Sequence, residues 1–291
     1  MTDLAKGVFK AAAIQMRSGT DPERNIAVLR DMVRQAADQG ADYVQTPEMT
    51  GVLARSRKDL LSVIGDQATC PVAAAASELA AHHQIYLHIG STAIALGEGK
   101  VANRAFLFAP DGDLVATYDK IHMFDVDLDN GESWRESNTY RPGESAVTAA
   151  LPFAKLGMAI CYDLRFPELF RREAVDGATV LSAPAAFTRQ TGEAHWHVLV
   201  RARAIENGAF MIAAAQGGKH EDGRETYGHS LIVDPWGGIL AEADNDEPGM
   251  ILAEIDSAKS AEARGKIPNL NNSRPFDLTT TAHASALSVM A

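Results

Sequence analysis

The pattern of hydrophobic and polar positions divides the chain into short apolar runs and longer segments in which apolar residues recur every three or four positions. The short runs predict buried strands, and the longer segments predict helices. Predicted strands cover residues 8–16, 42–46, 85–93, 101–109, 114–120, 155–160, 179–183, 210–215, 229–234 and 250–255. Predicted helices cover residues 22–39, 71–83, a segment that begins at residue 167, and 193–207.

Turn and capping signals support several of these boundaries. Asp21-Pro22-Glu23 combines a capping side chain, a proline at the first helical position and an acid in the first turn, and Gly40 ends that helix. Pro110-Asp111-Gly112-Asp113 predicts the turn of a hairpin. Residues 125–144 predict a long polar loop.

Strands that alternate with helices, interrupted by hairpins, favour a layered α/β fold with mixed sheets over a purely parallel barrel. Residues 1–265 contain no repeat, low-complexity tract or linker, so one domain is expected there. Residues 266–291 form a tail rich in Pro, Asn, Thr and Ala. We expect this tail to be either a frayed terminus or an arm packed on a partner subunit.

Composition narrows the function classes. The 291 residues are 46% hydrophobic and 22% charged, which is typical of a folded protein with a full core. A net charge of −11 argues against nucleic acid and anionic membranes as partners. Two cysteines suit a reducing compartment, and neither a signal peptide nor a membrane-spanning run is recognisable. A soluble, cytoplasmic protein is therefore expected.

Three predicted strands end in side chains that carry out chemistry: Glu48, Lys120 and Cys161. Open α/β folds place their active sites at the carboxyl ends of strands, so one sheet edge could bring these residues together. A carboxylate, an ammonium and a thiol would then supply a base, an electrophilic cation and a nucleophile. Each signal is weak alone, because a strand that ends in Glu or Lys is usually only a solvated boundary.

These segments resemble the Glu-Lys-Cys signatures of the nitrilase superfamily, the carbon–nitrogen hydrolases, and they occur in the same order. The resemblance extends from Lys10 to about Asp277. It implies a four-layer α-β-β-α sandwich that forms a homodimer or higher homo-oligomer. It also implies that Glu48 is the general base, Lys120 the transition-state stabiliser and Cys161 the nucleophile. The segments that carry the resemblance are Tyr43-Val44-Gln45-Thr46-Pro47-Glu48-Met49-Thr50, Ala116-Thr117-Tyr118-Asp119-Lys120-Ile121-His122-Met123-Phe124-Asp125 and Lys155-Leu156-Gly157-Met158-Ala159-Ile160-Cys161-Tyr162-Asp163-Leu164-Arg165-Phe166-Pro167-Glu168-Leu169.

The residue types agree with amide hydrolysis through a thioester acyl-enzyme. Glu48 would take the thiol proton, most readily if burial raises the pKa of its carboxyl group. Lys120 and the backbone N–H of Tyr162 would meet the oxyanion. The resemblance further implies that Glu136, which precedes a Pro-Gly pair, orients the substrate or Lys120; the alternative is an exposed loop acid. Such a reaction requires no metal and no cofactor.

Arg165 follows the nucleophile by four residues. Its guanidinium would either bind a substrate carboxylate or form a structural pair with Asp163 or Glu168. Residues 185–196 are expected to form a pocket wall that offers Phe187, Thr188, His195 and Trp196 to the substrate.

Several segments resemble the branch that holds deaminated-glutathione amidases and ω-amidases. The resemblance to the deaminated-glutathione amidases is stronger in three of them, Phe124-Asp125-Val126-Asp127, Glu136-Ser137-Asn138 and Ala213-Ala214-Ala215-Gln216-Gly217-Gly218. The expected substrate is accordingly a small amide with a carboxylate, deaminated glutathione first. The alternatives are α-ketoglutaramate or α-ketosuccinamate, as for ω-amidases, and N-carbamoyl amino acids.

Non-enzymatic and metal-dependent alternatives have less support. Residues 125–136 place Asp125, Asp127, Asp129 and Glu136 at ligand positions of a calcium-binding EF-hand loop, but Asn130 stands where that loop requires glycine. Histidines adjacent or two apart on a helix, as in His195-Trp196-His197, point in different directions and are poorly placed to share a zinc ion. A non-catalytic protein on the same scaffold would not need all three strand-end residues.

Overall fold

The computed structural model describes residues 7–128, 131 and 133–281, and their main elements are two six-stranded sheets and six α-helices. The strands are β1 Val8–Gln15, β2 Tyr43–Gln45, β3 Tyr86–Gly97, β4 Lys100–Phe108, β5 Leu114–Asp119, β6 Asp125–Asp127, β7 Ser133–Arg135, β8 Val147–Ala150, β9 Lys155–Met158, β10 Val180–Ser182, β11 Phe210–Ala213, β12 Gly217–Lys219, β13 Glu225–Tyr227, β14 Leu231–Val233, β15 Ile239–Glu242 and β16 Gly249–Asp256. The helices are α1 Pro22–Asp38, α2 Arg57–Val63, α3 Pro71–His83, α4 Pro167–Val175, α5 Arg189–Asn207 and α6 Ala258–Lys266.

Each large sheet has six strands and mixes parallel with antiparallel pairing. The first has the order β16-β1-β2-β3-β4-β5, with β1, β2 and β3 parallel. The second has the order β15-β14-β11-β10-β9-β8, with β9, β10 and β11 parallel. The outer strands of each sheet are antiparallel to their neighbours, so the prediction of mixed sheets is confirmed.

Both faces of each sheet are covered, which gives four layers. Successive side chains of a strand point to opposite faces. On β1, Ala11 and Ala13 therefore belong to the core between the sheets, whereas Ala12 and Ile14 belong to the core beneath α1 and α3. Helices α4 and α5 cover the other sheet, through contacts with β9 and β11. The predicted α-β-β-α architecture is confirmed.

The carboxyl ends of the central strands of both sheets meet at one end of the sandwich. Met16, just after β1, forms a parallel bridge with Gln216, just after β11. Because β2 and β9 are parallel to β1 and β11 respectively, their carboxyl ends reach the same end of the molecule. Strand β5 is antiparallel to β4, which is antiparallel to β3, so β5 also ends there.

Short elements without a strong apolar pattern escape sequence-based prediction. These are α2, α6, the edge strands β8 and β15, and the β12–β13 hairpin. The stretch expected to be a long polar loop also contains the small β6–β7 hairpin. Helix α5 begins at Arg189, four residues earlier than predicted, because Thr188 caps it by accepting a bond from the Thr191 N–H.

The first residue of the predicted tail, Lys266, ends α6, and the other described tail residues, 267–281, contain no helix or strand. Phe276 and Leu278 are about nine-tenths exposed. A bilayer-spanning helix would need greater length and a more apolar sequence than any helix among the described residues has. The role of the tail stays a prediction.

Candidate active site

Glu48, Lys120 and Cys161 lie together at the carboxyl end of the sandwich, in the floor of a cavity of about 270 Å³. All three are buried, with 4%, 2% and 7% of their surfaces exposed. The strand-end argument therefore brings together the three residues that it singled out, although β5 belongs to one edge of its sheet and β9 lies in the other sheet.

Glu48 reaches the cavity through a tight backbone path. Residues Thr46 and Pro47 lead from β2 to Glu48, and Gly90 of β3 packs directly against their carbonyl oxygens and against Pro184. A β-carbon at position 90 would collide with this backbone, so glycine is required there. The Glu48 carboxylate is then fixed by the Ala186 N–H, which donates to Oε2 at 2.9 Å.

Cys161 begins a 3-10 turn, Cys161–Arg165, directly after the extended residues that follow β9. Its φ of +50° lies in the left-handed region, which a residue with a side chain adopts only when its surroundings hold it there. The Cys161 N–H donates to the Pro184 carbonyl at 2.9 Å and fixes this conformation. The turn thereby lifts the thiol out of the sheet and into the cavity.

Asp163 connects the nucleophile turn to the segment that carries Lys120. Its buried carboxylate accepts bonds from the Tyr118 hydroxyl at 2.7 Å, the His122 N–H at 3.0 Å and the Ile160 N–H at 2.9 Å. His122 Nδ1 also lies 2.7 Å from the same carboxylate. Residues on both sides of Lys120 and Cys161 are thus held by one buried acid.

The Lys120 ammonium lies between two carboxylates. Its Nζ is 2.9 Å from Glu48 Oε1, 2.9 Å from Glu136 Oε2 and 3.1 Å from Glu136 Oε1. Glu136 also accepts a bond from the Phe124 N–H at 2.7 Å. Glu136 is therefore a member of the buried cluster, and the alternative of an exposed loop acid is wrong.

Asn103, on β4, is a member of the cluster that sequence reasoning missed. It is 1% exposed, and its Nδ2 donates to Glu48 Oε1 at 2.9 Å and to Glu136 Oε1 at 3.3 Å. The Asn103 carbonyl accepts a bond from the Lys120 N–H at 3.0 Å. An asparagine inside a buried strand was the available signal, because such a side chain needs partners.

The charges of the cluster determine its resting protonation state. Burial alone would raise the pKa of Glu48, but the Lys120 charge and bonds from Cys161, Lys120 and Asn103 lower it below its ordinary value of 4.5. A raised pKa, which would have favoured the role of Glu48 as a base, is not found, because the Lys120 charge and the three hydrogen bonds together outweigh burial. Burial and the nearby Glu48 charge raise the pKa of the Cys161 thiol well above 9.0.

Burial also disfavours the Lys120 charge, but the Glu136 and Glu48 carboxylates overcome it and raise the Lys120 pKa well above 10.5. The site at rest accordingly holds a carboxylate, an ammonium and a neutral thiol that is hydrogen-bonded to Glu48. In this state a base lies beside the nucleophile and a cation lies where negative charge would develop, which suits attack on a carbonyl group.

Arg165 faces the cavity. Its guanidinium lies 5.5 Å from the Phe187 ring centroid and 5.9 Å from that of Tyr162. It forms no ion pair within the described residues, and its only hydrogen-bond contact there is His195 Nδ1 at 3.3 Å. The alternative of a structural pair with Asp163 or Glu168 is wrong, because Arg165 pairs with neither, and Asp163 is occupied by Tyr118, His122 and Ile160.

The wall at residues 185–196 is only partly exposed to the cavity. Phe187 and Thr188 line it, whereas Trp196 does not. Trp196 is 1% exposed, packs behind Phe187 at a ring distance of 5.0 Å and donates to the His229 carbonyl. His195 is exposed and does not line the cavity, and among the described residues its ring contacts Arg165. Because α5 begins at Arg189, both residues lie well past the first turn, beyond the wall.

The cavity is strongly cationic in a chain whose net charge is −11. Its lining includes two acidic side chains, Glu48 and Glu136, against six cationic ones, which are Arg55, Arg57, Lys120, Arg135, Arg165 and Arg224. Trp134 and Arg224, which sequence reasoning also missed, form part of its outer wall. The local charge favours an anionic occupant.

The acids proposed as calcium ligands are engaged in other interactions. Asp127 forms an ion pair with Arg135 at 2.8 Å, Asp125 accepts from the Ser137 hydroxyl, and Glu136 binds Lys120. Asp129 and Asn130 lie outside the described residues. Among the described residues, one group of three metal-type ligands is found, His197, His229 and Glu242, and none of them lines the cavity.

A buried thiol beside a base and a cation, at the strand ends of an α-β-β-α sandwich, defines an enzyme class that cleaves amide-type bonds. The chain belongs to the carbon-nitrogen hydrolase family, whose sequence profile matches residues 10–265. It is therefore a hydrolase that acts on carbon–nitrogen bonds other than peptide bonds.

Three relatives illustrate the similarity. The chain is 40% identical to a deaminated glutathione amidase of Synechocystis, over 91% of this chain and 97% of the relative. It is 36% identical to mouse omega-amidase NIT2, over 91% of this chain and 95% of the relative. The crystal structure of the C. elegans NitFhit protein superimposes with a TM-score of 0.87 at 34% identity, covering 93% of this chain and 66% of that one.

Proposed function

We propose that this enzyme hydrolyses deaminated glutathione, an α-ketoglutaramyl amide, through a thioester on Cys161. The observation that carries the proposed mechanism is that Cys161, Glu48 and Lys120 are buried together in the floor of one cavity, with the Lys120 ammonium 2.9 Å from the Glu48 carboxylate. The Arg165 guanidinium, which forms no ion pair among the described residues, lies in a cationic cavity and supports a carboxylate-bearing substrate.

In the first half-reaction, Cys161 Sγ attacks the amide carbonyl carbon while Glu48 takes the thiol proton. The carbonyl oxygen becomes an oxyanion, which Lys120 and the Tyr162 backbone N–H stabilise; no hydrogen bond among the described residues uses that N–H. One such contact is worth about 3–4 kcal/mol of barrier. Glu48 then returns the proton to the departing nitrogen, the C–N bond breaks, and the amine leaves.

In the second half-reaction, Glu48 takes a proton from water, whose oxygen attacks the thioester carbonyl. The carbon–sulfur bond breaks, the acid is released, and the sulfur takes the proton from Glu48. Glu136 and Asn103 position Lys120 and Glu48 throughout, because their side chains hold these groups by hydrogen bonds. Because Glu48 takes the thiol proton during the attack, the resting site needs no permanent thiolate.

The substrate assignment draws on charge and on the relatives. A keto-acid carboxylate would meet Arg165 in a bidentate bond, with Phe187 and Thr188 beside the acyl chain. Two of the relatives are named deaminated glutathione amidase and omega-amidase, and these names support the same substrate class. The second candidate is therefore ω-amidase activity on α-ketoglutaramate, which the same arginine would favour.

The decisive experiment compares kcat/KM on deaminated glutathione and on α-ketoglutaramate, with Cys161→Ala as control. A preference for deaminated glutathione that the control abolishes supports the proposal, and mass spectrometry of quenched enzyme should detect the acyl group on Cys161. Preference for α-ketoglutaramate would reassign the substrate and leave the mechanism intact. Comparable rates on simple aliphatic amides would overturn both substrate assignments.

The enzyme is also proposed to work as a cytoplasmic homodimer with one domain over residues 1–265. Free Cys70 and Cys161 agree with a reducing compartment. Exposed apolar side chains on the α4–α5 side, Val175, Val198 and Ile205, offer a surface for a second copy. Light scattering of the full chain, and of a chain ending at residue 265, tests the dimer and the part played by the tail; a monomeric full chain would refute the dimer.

A further inference from the structure

The outer wall of the cavity, formed by Arg55, Trp134 and Arg224, holds two cations against one indole ring. The Arg224 guanidinium lies 4.5 Å and the Arg55 guanidinium 5.2 Å from the Trp134 ring centroid. Stacking on an aromatic face leaves the N–H edge of a guanidinium free to bind a planar anion. This arrangement takes no part in the chemistry described above.

The outer wall and Arg165 are two separate cationic positions in one cavity. Arg165 contacts Tyr162, Phe187 and His195. Arg224 contacts Trp134 and Asp222 and lies on the β12–β13 hairpin, so the two arginines share no contact partner among the described residues. A substrate with an anionic group at each end could therefore be bound at both ends.

The depth of each position indicates which end of the substrate it meets. Arg165 belongs to the same 3-10 turn as Cys161, so it reaches the acyl group that stays on the sulfur. Arg55, Ser133 and Arg135 are exposed and form the mouth of the cavity next to Trp134. A leaving group must depart through the mouth while the acyl group remains, so it lies along the outer wall.

Arg224 is prepared for such a ligand. Its side chain is 18% exposed, and Asp222, 3.7 Å away, holds it without a short hydrogen bond. The Arg224 Nε is buried and makes no hydrogen bond within the described residues. The terminal N–H groups of this guanidinium also make no hydrogen bond among the described residues, and a carboxylate in the cavity that Arg224 lines can accept from them.

From this geometry we infer that the outer wall is a leaving-group subsite in which Arg224 binds a carboxylate on the departing amine. The enzyme thereby selects amides whose amine half is an amino acid or short peptide over amides that release ammonia. This inference rests on the proposed function, since it specifies the second half of the same substrate.

The test is a double-mutant-type cycle that removes, separately and together, the terminal carboxylate of the substrate and the Arg224 guanidinium. The substrates are deaminated glutathione and its C-terminal carboxamide, which lacks only the terminal charge, with α-ketoglutaramate as the substrate without a leaving-group carboxylate. The variants are Arg224→Gln, Arg224→Lys and, as a charge-matched surface control on α1, Arg34→Gln, whose partners are Asp31 and Asp38.

We expect the carboxamide to be a poorer wild-type substrate by about 10- to 100-fold in kcat/KM, the size of a lost charge-assisted bond. The Arg224→Gln variant should cleave deaminated glutathione and its carboxamide with nearly equal kcat/KM. The Arg34→Gln variant should keep the wild-type ratio of the two kcat/KM values. Arg224→Lys should recover part of the ratio, because it keeps the charge but not the fork.

The outcomes separate this inference from the proposed function. If the wild-type enzyme cleaves deaminated glutathione and its carboxamide equally well, the subsite is refuted and the proposed function stands. An Arg224→Gln variant that slows the cleavage of both substrates by the same factor also refutes the subsite and leaves the proposed function standing. Should Arg224→Gln fail to fold, the wild-type comparison alone decides. A wild-type enzyme that hydrolyses no keto-acid amide overturns the proposed function and this inference with it.

Discussion

The side-chain amide of Asn103 donates to Glu48 Oε1 at 2.9 Å, and the same nitrogen lies 3.3 Å from Glu136. One neutral residue on β4 thus joins two carboxylates that would otherwise repel each other around Lys120. The bond favours the ionised form of Glu48, the form that can act as a base.

Replacing Asn103 by leucine should lower kcat/KM by about 10- to 100-fold near pH 6, the cost of one hydrogen bond to a charged group. Loss of the donor raises the pKa of Glu48, so the acidic limb of the pH profile should move to higher pH. A pH profile of kcat/KM checks this. An unchanged acidic limb with a lower melting temperature would reduce Asn103 to a structural residue.

Replacing Glu48 by glutamine should make the Cys161 thiol more acidic while it abolishes catalysis. The Glu48 charge is one of the causes that raise the pKa of Cys161, so its removal lowers that pKa. Loss of the general base should reduce kcat by about 10²- to 10⁴-fold. Thiolate absorbance at 240 nm, measured against Cys161→Ala to subtract Cys70, follows the titration. A thiol pKa that rises in Glu48→Gln would contradict the charge assignment.

Arg165→Lys should raise KM for keto-acid amides, with about a tenfold or larger loss of kcat/KM, because an ammonium cannot form the bidentate bond of a guanidinium. Alkylation of Cys161 by iodoacetamide, a small neutral probe, should keep its wild-type rate, because the net charge of the cavity is unchanged. Steady-state kinetics and alkylation rates are compared in the same preparation. Equal losses in both assays would indicate a distorted nucleophile turn instead.

Glu173 of α4 offers a prediction about stability. Burial, and then the Asp163 charge, raise its pKa well above 4.5. An acid with a raised folded-state pKa adds stability below its unfolded-state pKa and loses it as the pH rises through the folded-state value. Glu173→Gln should therefore raise the melting temperature at pH 8 more than at pH 5. A gain of about 1 kcal/mol in the free energy of unfolding would raise the melting temperature by roughly 2–4 °C in a chain of this size.

The matched control for Glu173→Gln is Glu168→Gln, which changes an exposed acid on the same helix. It should alter the melting temperature little at either pH. A destabilised Glu173→Gln variant at pH 8 would show that the ionised carboxylate has a partner that stabilises it.

Sequence reasoning succeeded where chemistry coincides with strand ends and failed where it does not. Glu48, Lys120 and Cys161 each follow an apolar strand, and the rule for strand ends predicts their convergence. Asn103 lies inside a strand, 55 residues from Glu48 and 33 from Glu136 in the chain, so no spacing pattern connects them. Only the pairing of β4 between β3 and β5 brings it there.

The pocket walls were predicted less well, for reasons of geometry. Helix α5 begins four residues earlier than predicted, so Trp196 lies within the helix and packs behind Phe187 instead of lining the expected wall. Trp134 and Arg224 lie on short hairpins whose apolar content is too low to predict strands, yet the hairpins bring an indole and a guanidinium within 4.5 Å. Short elements are held by tertiary contacts, which local patterns do not contain.

The neutral resting state of Cys161 has a consequence for the resistance of the enzyme to oxidation. Hydrogen peroxide attacks thiolates far faster than thiols, and the products beyond sulfenic acid are irreversible. A thiol that stays protonated between turnovers leaves little thiolate for an oxidant to reach. The Glu48 carboxylate that raises the pKa of Cys161 therefore also shields the sulfur from oxidative inactivation.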